Sequence, residues 1–398
     1  MMLQAILLAC IVCGCEVVDT KDNNQILVPD KPLKDKDLYY SAVEYERGYD
    51  WRKDSLCGAV ESRLCLYKNH QKLFSITLGP RDSDVAQADM HRIENGNLYS
   101  FHNIGNRTAI RKNGEDFIYF DAQEYISHFV VADSVVYTLS SRPGHEEWRL
   151  RRNGSKVAEE ENAVVIGDLY MDRGELCFAY GQILESSAGA RQYRYYFVRD
   201  GQREPMNLLS TVTEVLAARR FGGTMNCLVT ESNIDGVVWQ QGEASFIIKE
   251  DLASRGRDCS FFVAGDTIYA HAQVKTVYDD RQQFWNDYFW QPKAGSDSVT
   301  DRTNVSMQIL SLCPHGKMLC YAASPRAASY PITVVHGGRK DSLDERYRMV
   351  SPFALCCNST RYCIGLNDAV NGYRPVVIDG QQTKEFDFNG YFTRFYLP

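Results

Sequence analysis

The chain has 398 residues and a formal net charge of −7, and this acidic balance gives no reason to expect nucleic acid or an anionic membrane surface as a partner. Hydrophobic residues make up 44% of the chain, which is sufficient for a sizeable core. The 24 Tyr and 18 Phe residues, with few runs of helical periodicity, favour a β protein. After residue 14, no apolar run reaches the roughly 18 residues that a membrane-spanning helix needs.

Residues 1–14 read MMLQAILLACIVCG and are followed by Cys15. An apolar segment that ends in small residues is typical of a secretory signal. This segment resembles a bacterial lipoprotein signal, in which a small residue precedes the lipidated cysteine, although no Lys or Arg precedes the apolar run. The resemblance implies cleavage before Cys15, lipid attachment to Cys15, and export to the bacterial outer membrane on its periplasmic or surface face. An ordinary signal peptide is the alternative.

Residues 15–37 are charged, contain two prolines and have almost no aromatic side chains. Such a composition cannot bury a core and is typical of a flexible tether. We therefore expect three parts: a signal peptide (1–14), a tether (15–37), and one folded domain (38–398) that contacts the membrane through its lipid anchor only.

A two-residue turn signal recurs through the folded part, each time between two short apolar or aromatic runs. Asn-Gly and Asp-Gly favour the type I′ turn of a β-hairpin. The turn pairs, which recur about every 44 residues, are Asn69-His70, Asn113-Gly114, Asn153-Gly154, Asp200-Gly201, Gln241-Gly242, Ala294-Gly295, Gly337-Gly338 and Asp379-Gly380. This period predicts one repeating structural unit rather than a set of independent hairpins.

A second repeated position lies in a strand-like run near the start of each unit. It is occupied by Tyr39, Tyr99, Tyr137, Cys177, Cys227, Tyr269, Cys320 and Cys363. Each unit is expected to contain this strand, the two strands that flank the turn, and a closing strand such as YISHFVVAD. Four strands in about 44 residues predict a β-propeller blade.

The fold class is therefore all-β, a β-propeller of eight four-stranded blades. Seven blades are the alternative, because the first unit is irregular: Tyr39 and Tyr99 are 60 positions apart. We expect residues 392–397 to complete the blade that contains Tyr39 and so to close the ring. The turn with its preceding aromatic residue resembles uncharacterised propeller lipoproteins of Gram-negative bacteria.

Ten cysteines remain after the signal region and Cys15. Those that share the repeated position with Tyr are expected to be buried packing residues. Cys57 with Cys65, and Cys313 with Cys320, could form disulfides, and neighbouring Cys356 and Cys357 should face opposite sides of a strand. We expect no metal and no cofactor, since after Cys15 no Cys-x-x-Cys motif and no His cluster at ligand spacing occurs.

Two long insertions, residues 181–192 and 273–290, are the candidate recognition segments. Both are expected between the first and second strands of a blade, on the same rim of the ring. Loops on rigid scaffolds often carry function, and Trp and Tyr are common anchors of binding surfaces. The candidate binding residues are Trp285, Tyr288, Tyr278 and Asp280. His145, Glu146 and Glu147 are expected in a solvated hairpin loop.

The sequence favours a monomeric, non-enzymatic module: a cell-envelope lipoprotein whose propeller rim binds or scaffolds an unidentified protein or glycan. The alternative is a glycoside hydrolase or lyase that uses carboxylates at the mouth of the central channel.

Overall fold

The computed structural model describes residues 21–22, 25–26 and most of residues 38–396. The longer gaps in that range are 54–59, 80–90, 185–191, 249–255, 293–298, 314–319, 325–330 and 358–361. The described chain is almost entirely β. A short ribbon pairs Lys21–Asp22 with Gln25–Ile26, and Trp51–Lys53 forms one turn of 3-10 helix. No helix among the described residues is long and apolar enough to cross a bilayer.

Eight antiparallel sheets of four strands form the blades of a propeller. In each sheet the strands are called inner, second, third and outer. Blade 1 contains Asn389–Tyr396, Tyr39–Tyr45, Ser62–Lys68 and Gln71–Leu78. Blade 2 contains His91–Glu94, Asn97–Ile104, Arg107–Lys112 and Glu115–Phe120. Blade 3 contains Tyr125–Ala132, Val135–Ser141, Glu147–Arg152 and Ser155–Glu161. Blade 4 contains Ala163–Asp172, Glu175–Leu184, Gln192–Arg199 and Gln202–Pro205.

The second half of the ring repeats this order. Blade 5 contains Val212–Phe221, Thr224–Glu231, Val237–Gln241 and Ala244–Ile248. Blade 6 contains Gly256–Ala264, Thr267–Asp279, Gln282–Pro292 and Val299–Val305. Blade 7 contains Gln308–Cys313, Cys320–Ser324, Thr333–His336 and Arg339–Ser342. Blade 8 has an inner strand in two pieces, Tyr347–Arg348 and Leu355–Cys357, followed by Tyr362–Asp368, Arg374–Asp379 and Gln382–Glu385. The predicted fold class, with eight blades rather than seven, is confirmed.

The strand that the sequence placed at the end of each unit instead begins the next blade. Tyr125–Ala132, for example, pairs with Val135–Ser141 and is the inner strand of blade 3. The physical reason is a second tight turn, Asp133-Ser134, in which both residues have positive φ angles of 49° and 63°. Each blade is therefore two hairpins side by side, and the predicted start of each blade was wrong by one strand.

The predicted type I′ turns are present in blades 1 to 4, where both turn residues have positive φ angles. The turn Asn or Asp also has a role that the pattern did not show. Its side-chain oxygen accepts a 2.8 Å hydrogen bond from a backbone N–H at the start of the second strand. The pairs are Asn69 with Leu38, Asn113 with Leu98, Asn153 with Val136 and Asp200 with Leu176.

Two of the other turn pairs were misplaced by one residue. Gln241 pairs with Ala244 and Asp379 pairs with Gln382, so both residues belong to strands. The turns begin at Gly242 and Gly380, because glycine takes the position that needs a positive φ. Ala294-Gly295 and Gly337-Gly338 lie outside the described residues.

The repeated Tyr/Cys position is buried at Tyr39, Tyr99, Cys177, Cys320 and Cys363. Blade 5 departs from the pattern. There Asn226 pairs with Gln241 at the end of the strand, as Tyr99 pairs with Lys112 in blade 2.

Cys227 therefore lies one residue later than expected. It faces back toward blade 4, where it packs in one cluster with Cys177. Counted from the inner-hairpin turn, Arg219–Asn226 is the third pair of blade 5, as Tyr170–Cys177 is the third pair of blade 4, so Asn226 holds the repeated position.

The last strand, Asn389–Tyr396, pairs with Tyr39–Tyr45 and supplies the inner strand of blade 1. It lies in the blade where the sequence placed it. Tyr40 stacks on Tyr67 and Phe395, with ring centroids 5.2 Å and 5.0 Å apart, and meets Phe392 edge-on at 5.4 Å. Aromatic packing thus joins the second and third strands of blade 1 to the last strand of the propeller at one seam.

Candidate functional site

The candidate residues from the sequence lie in or beside a long hairpin of blade 6. Residues 273–290 extend the second and third strands, whose backbones pair as far as Asp279 and Gln282. Tyr288 is 2% exposed and its ring stacks with Trp290 in the core beside blade 5, so it is not on the rim surface. The side chains of Trp285, Tyr278 and Asp280 lie outside the described residues, as does Cys15.

Both insertions connect the strand that carries the repeated Tyr/Cys position with the strand before the tight turn, as expected; these are the second and third strands of a blade because each blade begins one strand earlier than predicted. They lie on one rim of the ring. In every blade, the connection between the second and third strands lies on the same side as the segment that links the outer strand to the inner strand of the next blade. This side is called the loop rim. The tight turns lie on the opposite side, the turn rim.

A cavity of about 540 Å³ opens on the loop rim where blade 8 meets blade 1. It is called the seam pocket. Its lining combines aromatic rings, arginines and short polar side chains from three connections, and consists of Arg47, Gly48, Tyr49, Asp50, Trp51, Arg52, Asn371, Gly372, Tyr373, Arg374, Asp387, Phe388 and Asn389. A pocket of this size suits a small molecule or one end of a larger ligand.

Asn389 holds the first of these connections, residues 46–53, against the last strand. Its amide nitrogen donates to the backbone carbonyl oxygens of Glu46, at 2.7 Å, and Tyr49, at 2.8 Å. Trp51 packs against Tyr391 with ring centroids 5.0 Å apart and meets Tyr373 edge-on at 6.4 Å. The pocket wall is therefore fastened to the closing strand of the ring.

Blade 8 fixes the second wall through buried polar residues. The Asn367 amide donates to the carbonyl oxygens of Tyr373, at 2.9 Å, and Gly390, at 2.7 Å, and so ties the loop to the closing strand. Burial acts to raise the pKa of Asp368, but hydrogen bonds from Asn371 and Val370 outweigh it, and the pKa is lowered. This ionised carboxylate anchors the loop at the pocket edge.

The charged side chains of the pocket differ in how strongly they are paired with one another. Arg52 donates to Asp50 at 2.6 Å and lies over the Tyr373 ring at 4.3 Å. Arg47 and Asp387 form an ion pair at 2.9 Å, but their side chains are 83% and 82% exposed, so solvent weakens the pair.

Arg374 is exposed, and among the residues that the structure describes no hydrogen bond or ion pair is assigned to its side chain. With three arginines and two aspartates, the lining has one excess positive charge.

Aromatic faces beside guanidinium groups can hold a ligand that presents a flat or apolar face next to a carboxylate, sulfate or phosphate. Asp50 is poorly suited to acid catalysis, since the hydrogen bond from Arg52 lowers the pKa of its carboxyl group. Within the described ranges, no group of three or more His, Cys, Asp and Glu side chains is arranged to hold a metal ion.

One carboxyl does have a raised pKa, but it lies on the turn rim. Burial raises the pKa of Asp172, whose carboxyl group also accepts a hydrogen bond from the backbone of Gly222 in blade 5. Glu147, from the loop that the sequence placed in solvent, is buried instead. Hydrogen bonds from Arg142 lower its pKa to about 2. Both carboxyls hold neighbouring segments together.

The sequence did not predict the seam pocket. Its lining comes from two segments more than 300 residues apart, and only closure of the ring brings them together. One signal was available: the first unit is 60 residues long, and part of that excess is the loop 46–61 between the second and third strands of blade 1.

No protein-family model matches the chain, and no curated protein matches it. Solved structures that resemble it include the β-propeller domain of the Trilobed protease from Pyrococcus furiosus, described as having an open velcro topology. The TM-score is 0.45 and the identity 11%, over 78% of this chain and 94% of that one. A prolyl endopeptidase structure gives a TM-score of 0.45 and 10% identity, over 77% of this chain and 50% of that one. The tricorn protease gives a TM-score of 0.28 and 11% identity, over 87% of this chain and 43% of that one. These proteins are distant propeller-containing peptidases, and the chain described here is a β-propeller.

Proposed function

We propose that this protein is a non-enzymatic binding module, with the seam pocket on its loop rim as the ligand site. The observation that supports this most is the composition of the pocket: Trp51, Tyr49 and Tyr373 stand beside three arginines in one cavity. Trp, Tyr and Arg are the residue types that dominate the energetics of binding surfaces.

The ligand is proposed to be a protein or glycan that presents an anionic group beside a flat or apolar face. Arg374 is the exposed cation best placed to meet that anionic group, because Arg47 and Arg52 already contact Asp387 and Asp50. The long hairpin of blade 6 is on the same rim, so Trp285, Tyr278 and Asp280 are proposed as further contacts for a large ligand.

We further propose that the propeller is tethered to the bacterial outer membrane by lipid on Cys15. The apolar segment 1–14 and the charged segment 15–37 support this proposal. A Cys15→Ser variant should move from the membrane fraction to the soluble fraction and lose the mass of the lipid. Equal membrane association of both proteins would refute the lipid anchor.

The binding proposal is tested by affinity capture from native cell envelopes, with bound proteins and glycans both identified by mass spectrometry. Arg374→Ala and Trp51→Ala should capture several-fold less ligand than the wild type. Tyr119→Ala is the matched control, because Tyr119 is 53% exposed on the outer strand of blade 2, away from the pocket. Capture unchanged by both pocket variants would contradict the proposal.

The blade 6 hairpin is tested separately with a deletion of residues 273–287. If the deletion captures the same ligands at wild-type levels, that hairpin is not part of the binding surface. Loss of capture by the deletion alone would place the ligand on blade 6 rather than in the seam pocket.

A further inference from the structure

Five buried cysteines lie close together in blades 7 and 8, and all five are present as thiols. Cys356 contacts Cys363 on one face of the blade 8 sheet. Cys357, on the other face, contacts Cys313 and Cys320 of blade 7. The opposite orientation of neighbouring Cys356 and Cys357 follows from strand alternation, as the sequence predicts.

Two cysteine pairs occupy the same structural position in the two blades. Cys313 lies directly opposite Cys320 in the inner hairpin of blade 7, and Cys356 lies directly opposite Cys363 in blade 8. Other blades place other residue pairs there, again seven positions apart in the sequence: Arg92 with Tyr99, Val130 with Tyr137, Tyr170 with Cys177, and Phe262 with Tyr269. The pairing is therefore a property of this position in the repeat.

Directly opposed residues on antiparallel strands have Cβ atoms about 4.5–5.5 Å apart, and a disulfide needs about 3.5–4.5 Å. A small local adjustment is enough to close that difference. We propose that Cys313–Cys320 and Cys356–Cys363 are disulfide-forming pairs, each joining the inner and second strands of its own blade. Cys357 remains a thiol between the two blades.

The oxidant is proposed to be a disulfide carrier, either a small molecule or a protein. One cysteine thiolate attacks a sulfur of the carrier, which forms a mixed disulfide and releases the first carrier thiol. The second cysteine thiolate then displaces the remaining carrier sulfur. Each pair loses two protons and two electrons, and the carrier gains them as two thiols.

The exchange belongs to folding rather than to the finished propeller. Burial raises the pKa of Cys320, and contact with Cys363 together with burial raises that of Cys356. Few reactive thiolates therefore exist once blades 7 and 8 have closed. The bonds would brace the blades just before the seam, and this inference does not depend on the proposed ligand.

The test refolds the denatured, reduced full-length chain with and without oxidised glutathione, and then labels all remaining thiols with N-ethylmaleimide after denaturation. The oxidised protein should carry four fewer labels than the reduced protein, with both disulfides located by peptide mapping. Its melting temperature should be higher by about 2–10 °C. Equal labelling in both samples would overturn the proposal, as would disulfides that join Cys313, Cys320, Cys356 or Cys363 to any other partner.

Three variants complete the test. Cys357→Ser should keep both disulfides, and Cys363→Ser should leave Cys356 labelled. Cys177→Ser is the matched control, since Cys177 is an equally buried thiol opposed by Tyr170 rather than by cysteine. It should keep both disulfides and the full thermal shift. If Cys363→Ser does not fold, the peptide map of the wild type still decides the matter.

Discussion

Gly390 provides a sharp test of how the ring closes. It lies in the last strand opposite Glu44, with a φ angle of +156°. A methyl group added there would run into the backbone carbonyl of Val43. The same glycine offers its own carbonyl oxygen to the buried Asn367 amide. A Gly390→Ala change therefore strains the backbone and displaces the closing strand.

The expected cost has two parts. A non-glycine residue in this region of φ costs about 1–3 kcal/mol, and the overlap with Val43 must be relieved by moving paired strands. We expect Gly390→Ala to lower the free energy of unfolding by about 2–5 kcal/mol in urea titrations followed by Trp fluorescence.

Gly372→Ala is the matched control. Its φ is +71°, but no atom lies within 4 Å of the added methyl. It should cost only about 1 kcal/mol, the strain of an alanine at positive φ. If Gly390→Ala proved no more destabilising than Gly372→Ala, the described seam geometry would be wrong.

Three further perturbations test other parts of the ring. Asn153→Ala should lower the free energy of unfolding by about 1–2 kcal/mol, because Val136 N–H loses its acceptor and the turn loses a residue suited to positive φ. Glu147→Gln should cost about 2–3 kcal/mol at pH 7. Since its folded pKa is lowered from 4.5 to about 2, the wild type should lose this advantage as pH falls from about 5 to 2. Deleting residues 391–398 should lower the melting temperature by about 10 °C or more, because the inner strand of blade 1 is lost.

A different outcome would contradict each of these three predictions. Asn153→Asp keeps the acceptor and should cost less than Asn153→Ala; equal costs would reject the hydrogen-bond role. A stability difference between wild type and Glu147→Gln that stays constant from pH 7 to pH 2 would reject the assigned pKa. An unchanged melting temperature after the deletion would reject closure by the last strand.

Repetition made the ring predictable. Each hairpin needs positive φ at its turn, so Asn-Gly and Asp-Gly recur and mark the period. The same pattern could not show which strand of the repeat begins a blade. The inner hairpins turn at Asp133-Ser134 and Arg173-Gly174, whose residue types differ from blade to blade. In blade 5, Asn226 holds the position that Tyr or Cys holds elsewhere, so Cys227 faces blade 4 although the spacing of the repeat is almost unchanged.

The seam pocket was harder to predict because the residues that line it are close in space but come from segments far apart in the sequence. Trp51 and Tyr373 are each ordinary loop residues in the sequence. They meet because Asn389 and Asn367 fasten both loops to the closing strand. Aromatic content alone pointed instead to blade 6, where Tyr288 proved to be a core residue.

Photo-crosslinking from the pocket edge tests the central claim most directly. Benzoylphenylalanine placed at Asp387, whose side chain is 82% exposed at the edge of the seam pocket, leaves Arg374 in place and should form adducts with the ligand when native cells are illuminated. The same group placed at Val157, which is 49% exposed on the outer strand of blade 3, should not. The proposed function predicts one dominant adduct from position 387, reduced several-fold by Trp51→Ala. Equal adducts from both positions, or none from position 387, would contradict a ligand site in the seam pocket.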